Sequence, residues 1–169
     1  MATNAVETAQ QENGSRYFLE SVIEKGREPL ANEMFKIYEG YNNEWKETYR
    51  KQVDAVKKYI GSRKGYEYSR DKGIMPFIEN IAKTDCGVVV KDRWDPMDIV
   101  MVKKNMRKTV EGTIRELTNM KGMTKDANLL ILNAYMREAL KDKILIGISL
   151  KAIKSNKSKA SIELANMRG

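Results

Sequence analysis

The feature that most constrains this chain is a stripe of large side chains in its first half. Met34, Tyr38, Tyr41, Trp45, Tyr49, Val53, Val56 and Ile60 recur at spacings of three and four. At 3.6 residues per turn, such spacing puts them on one face of a helix. It predicts one long helix, with Gly40 inside the stripe and Gly61 at its end. A face that large has to be covered, either by the rest of the chain or by a partner or second copy. Tyr and Trp rings in a row also suit base stacking, but core packing is the commoner use of such a stripe, and we read it as core.

The flanking segments are read in the same way. "MATNAVETAQQENGS" is polar and lacks the apolar centre of a signal peptide, so residues 1–14 read as a tail. "GSRYFLESVIEKG" predicts a helix with Ser15 as N-cap, and residues 15–64 then form a helical arm. "GSRKGYEYSRDKG" reads as a loop by its glycines and charges. "IMPFIENIAKTDCG" predicts a short helix with Pro76 in its first turn and Glu79 off its apolar stripe.

Beyond Gly87 the texture changes. "GVVVKD" is a β-branched run that predicts a buried strand. Pro96 then breaks the chain, and a second strand is expected over Met97 to Lys103. Two helical segments follow, the second beginning at Thr124, and "ILIGISLKAI" predicts a third strand. The expected fold is α+β: a helical N-terminal half, then a small mixed sheet with inserted helices across 65–169.

Composition removes several kinds of chemistry. Histidine is absent and Cys86 is the only cysteine. That excludes His-dependent nucleophilic triads, His-ligated metals and an internal disulfide. Carboxylates, lysines, hydroxyls and oxygen-bound hard cations remain. No apolar run approaches the roughly 20 residues of a membrane span. The formal charge is +8, and from Lys141 onward seven Lys/Arg stand against two acids. A basic end of this kind attracts polyanions, nucleic acid first among them; its bland counterpart is a solubilising surface.

Strand alternation then picks out particular side chains. On the second strand, Asp98 shares a face with Val100 and Val102; on the third, Leu145, Gly147, Ser149 and Lys151 share one. A carboxylate opening an apolar strand is costly unless it lies at an edge, is paired or binds a cation. A helix bearing Glu79 ("PFIENI"), a strand opened by Asp98 ("WDPMDIVMVK") and Ser149-Leu150-Lys151 ("GISLKAIKS") follow one another. This order resembles the core of the PD-(D/E)XK nucleases, the restriction-endonuclease-like fold, over roughly residues 74–155. The W-x-P-x-D-I string looks like those of phage-encoded and restriction-system proteins.

The resemblance implies a magnesium-dependent phosphodiesterase. In it Asp98 is the main metal ligand, Lys151 orients water or meets the phosphate charge, and Glu79 assists. Lys154, Lys157 and Lys159 would hold phosphates. Ser149 departs from the pattern, standing where the family usually has a second acid; Asp95 and Glu163 are the carboxylates that would compensate. About fifty residues separate Asp98 from Lys151, so a helical insertion is required. The expected function is a metal-dependent nuclease of phage or defence-system origin, acting on nucleic acid, DNA first. The alternative is an inactive nuclease-like protein that binds DNA or serves as a virion component, its helical arm docking on virion proteins or on a second copy. A third reading is a helical adaptor with solubilising lysines. The expected setting is the host-cell cytoplasm or the virion, without a membrane partner.

Overall fold

The first helix, α1, runs from Ala2 to Lys25 in the computed structural model, which describes residues 2–89, 97–150 and 163–164. The segment expected as a polar tail is therefore the first half of this helix. Ser15 is not its N-cap: it lies mid-helix, fully buried, and donates to the Gln52 Oε1 at 2.6 Å. The expected single helix over the aromatic stripe is also divided, into α2 (Ala31–Ile37) and α3 (Asn43–Ile60). Asn42 caps α3, its side-chain oxygen accepting from the Trp45 amide at 3.0 Å. An Asn there competes with a continuous helix for the backbone, which is why the stripe breaks beside Gly40.

The stripe itself is core. Tyr38, Tyr41, Trp45, Tyr49, Val53, Val56 and Ile60 are all buried. Tyr38 meets Trp45 edge-on at 5.4 Å between centroids, and Trp45 lies 5.7 Å from Tyr49. What covers this face is α1, at a close approach: Tyr49 donates from its hydroxyl to the Gln11 carbonyl at 2.8 Å, directly over Gly14. Burial holds the Tyr49 phenol protonated far above its ordinary range.

The stretch expected as a loop after α3 contains a strand, β1 (Tyr66–Ser69). Glu24 of α1 explains it. Its carboxylate accepts from the Gly65 amide at 2.7 Å, the Tyr66 amide at 3.2 Å and the Tyr68 hydroxyl at 2.8 Å. Tyr66 and Tyr68 are thereby drawn in, two residues apart, as a strand requires.

Two compact units divide the chain. The first is built on residues 1–68, with Ser149 from the end of β3 (Leu145–Ser149); the second on Ser69–Ile148. In the second, α4 (Ile74–Asp85), β2 (Ile99–Lys103), a 3-10 turn (Lys104–Met106), α5 (Arg107–Leu117) and α6 (Lys125–Lys141) precede β3. Residues 163–164 form one further short strand. α6 starts where expected, with Thr124 as its cap, accepting from the Ala127 amide at 3.1 Å.

β2 pairs with β3 antiparallel: Ile99 lies opposite Ile148, Val100 opposite Gly147, Met101 opposite Ile146 and Val102 opposite Leu145. The sheet is thus antiparallel where a mixed one was expected. Two helices joined by a loop intervene, not the single crossover helix that returns a chain to a parallel strand. The Val100–Val102–Leu145 face forms one core with Ile78 of α4, Ile114 of α5 and Met136 of α6. The opposite face, Ile99, Met101, Ile146 and Ile148, is buried as well.

The run expected as the first strand of this region does not form over residues 87–89, and Val89 is 94% exposed. Residues 90–96 lie outside the described ones. Cys86, closing α4, is buried, which pushes its thiol up to about 11. No helix among the described residues is long and apolar enough to cross a membrane.

Candidate functional site

Asp98 is the anchor of the site read from the sequence, and the ladder sets its place. It stands immediately before β2, partly buried, and its amide donates to the Ile148 carbonyl at 2.8 Å. Ile148 is the register partner of Ile99. At the other end, Lys103 donates to the Ile144 carbonyl at 3.0 Å, in register. Asp98 is therefore one residue out of step, in a bend just beyond the last pair of the ladder.

Ser149 is the residue after Ile148 and closes β3. It is 5% exposed, so the side expected to be a polar strand face is enclosed through Ser149, with Leu145 and Gly147 buried too. β2 and β3 are direct neighbours, so the Asp98 position and the strand leading to Lys151 belong to one ladder. The insertion expected between them is present as α5 and α6.

Glu79 lies on α4, which packs against β2. Its neighbours a helical turn away, Met75 and Ala82, are buried, while Glu79 is partly exposed at the margin of that face. This agrees with its expected place off the apolar stripe. On the same helix, Phe77 receives the Arg115 guanidinium over its ring at 4.9 Å.

Lys151, Lys154, Lys157 and Lys159 lie outside the described residues, as do Asp95 and the side chain of Glu163. Among the described residues no group of three His, Cys, Asp or Glu side chains is arranged to hold a metal ion. Magnesium, which keeps several waters and takes only one or two carboxylates, is the hard cation such a sparse donor set would suit. Of the expected donors, the second unit holds one partly buried carboxylate at a ladder end and one helix-borne carboxylate.

A second cluster was not singled out from the sequence although the run is plain to read. "KKNMRK", Lys103 to Lys108, places four cations in six residues where β2 passes into α5. Lys104 and Lys108 are exposed. Arg107 faces Glu111 at 3.4 Å.

No family model matches this chain, and neither a curated protein nor a solved structure matches it.

Proposed function

We propose that this chain is a nucleic-acid phosphodiesterase of the PD-(D/E)XK type, dependent on a divalent cation, with a restriction-endonuclease-like core. The observation that carries this reading is the off-register anchoring of Asp98 to Ile148, one residue before the Ser149-Leu150-Lys151 string. That bond ties the backbone of Asp98 to the strand that leads into this string. In this reading Asp98 is the main cation ligand, and Lys151 meets the charge that develops on the phosphate. Glu79 assists from α4, and Lys154, Lys157 and Lys159 hold the backbone. A divalent cation held there would lower the pKa of a bound water and offset phosphate charge. Magnesium is the expected ion.

The test is cleavage of single- and double-stranded DNA and of RNA with magnesium or manganese, for the wild type beside Asp98→Ala and Lys151→Ala. Loss of one catalytic group should lower the rate by at least about 100-fold. Wild-type protein inert with each cation, or both variants cutting at the wild-type rate, would sink the proposal.

One observation favours the second reading, a nuclease-like protein that binds DNA or a virion without cutting. Ser149 puts a buried neutral hydroxyl where the pattern asks for an acid. Tight DNA binding or co-assembly with particles, without any cleavage, supports it.

A further inference from the structure

The cations of "KKNMRK" are placed against the interest of the fold. The N-terminal end of a helix carries partial positive charge and is stabilised by acids. α3 has Glu44 in its first turn and α6 has Asp126, and each has a side-chain cap. α5 has no acid in its first turn and no side-chain cap; it opens with Arg107 and Lys108, preceded by Lys103 and Lys104. Even the Arg107–Glu111 pair runs in the less favourable order, with the cation nearer the N-terminus.

The register adds charge to the same place. The Lys103 amide donates to the Ile144 carbonyl, which brings Lys143 to this end of the ladder. Lys143 adopts φ 57°, a conformation glycine or asparagine would take with less strain. Lys141 ends α6 two residues earlier. The acids close by in the chain are Glu111, facing Arg107, and Asp142. Lysines gathered at a helix end that gains nothing from their charge suit an anionic ligand.

We propose that Lys103, Lys104 and Lys108 form a surface that holds the phosphate backbone of a nucleic acid, independently of any cleavage. The inference shares the ligand class of the proposed function and rests on that reading for nothing else. The surface lies at the end of β2 opposite Asp98, five residues away, or about 16 Å along the strand. That equals roughly five base pairs of duplex, so the two ends meet different phosphates. An anionic membrane is a poorer match, because the one apolar side chain in the run, Met106, packs on the core instead of facing outward.

Fluorescence anisotropy with a labelled DNA duplex, in EDTA and across a salt series, tests this apart from catalysis. The Lys104→Gln/Lys108→Gln variant changes two exposed side chains. It should flatten the slope of log affinity against log salt by about 2, one for each phosphate no longer neutralised. A charge-matched control on α3, Lys57→Gln/Lys58→Gln, should leave the slope unchanged. Equal slopes for wild type and the first variant, or equal flattening by both, overturn the proposal. So does displacement of the duplex by low-millimolar inorganic phosphate, or binding to phosphatidylserine vesicles in its place. A third variant, Lys108→Glu, should weaken duplex binding while raising the melting temperature of the free protein by on the order of 2 °C. A fall in that temperature would make Lys108 a structural residue and count against the surface. Intact binding in EDTA beside failed cleavage would leave the surface standing and remove only the catalytic reading.

Discussion

Gly14 is the residue on which the α1–α3 packing turns. A Cβ there would lie 2.5 Å from Tyr49 Oη and 3.1 Å from its Cζ. The Tyr49 ring is fully buried and its hydroxyl is engaged by Gln11, so it has nowhere to retreat. Gly14→Ala gains roughly 1 kcal/mol of helix propensity and meets an overpacking cost of roughly 1–3 kcal/mol, so it should be net destabilising. Tyr49→Phe alone loses about 1 kcal/mol with the second hydrogen bond to the Gln11 carbonyl. The double variant should be more stable than Gly14→Ala, because removing Oη opens the space the methyl needs. Denaturant unfolding of the three variants measures this, and simple additivity would mean that the clash is not what makes glycine necessary. None of this is legible from the sequence, where residues 1–14 look like a tail. α1 has no apolar stripe in its first half; it packs through Gln11, Gly14 and Ser15, small or polar groups that match particular partners on α2, α3 and the turn between them. Periodicity finds faces that exclude water, and it passes over faces that fit by shape and hydrogen bonding. Asp98 illustrates a second limit. That it opens a strand was readable, but its off-register bond to Ile148 is a property of the pairing, which alternation along one strand does not contain.

At the scale of elements, apolar pattern and caps served well where both were present. α6 begins at Thr124 and β3 falls within the expected run, because in each case the turn chemistry and the burial pattern agree. They disagree at Gly40–Asn42, where the stripe continues in phase through a break. There the cap prevails, and Asn42→Ala should show by how much. The Trp45 amide loses its acceptor, and stability should fall by about 1 kcal/mol. The loss should persist at high salt, since this is a neutral hydrogen bond, and Asn42→Asp should retain stability by supplying the same acceptor beside the positive helix end. A loss of under a few tenths of a kcal/mol in chemical denaturation would mean that the aromatic packing alone fixes the break. β1 went unseen for a related reason: its pairing groups are organised by Glu24, far back in the chain, while its own residues read as loop. The sheet's antiparallel sense was likewise set by what lies between the strands.

At the scale of the whole molecule, the governing quantity is the charge of +8. A net charge of that size repels itself in the compact state. Surface pairs such as Arg16–Glu20 or Arg50–Glu28 offset little of it, because exposed ion pairs contribute at most about 1 kcal/mol. Salt screens this repulsion and should raise the melting temperature of the free protein between about 50 and 200 mM. Salt also weakens a bound polyanion, so the two effects oppose each other. With a DNA duplex at about 100 times its dissociation constant in about 50 mM salt, linkage predicts a stabilisation of about 2.7 kcal/mol. Neutralising about four phosphates gives a salt slope near −3.6, so a fourfold rise in salt weakens binding by roughly 150-fold. The increment from the same duplex should then fall below about 0.5 kcal/mol. Calorimetry with and without duplex at the two salt concentrations therefore has a crossed signature: the free protein gains stability and the bound protein loses its advantage. A free protein destabilised by salt would show that its charges are balanced within the fold. An increment that salt leaves unchanged would mean that DNA is held by groups other than its phosphates.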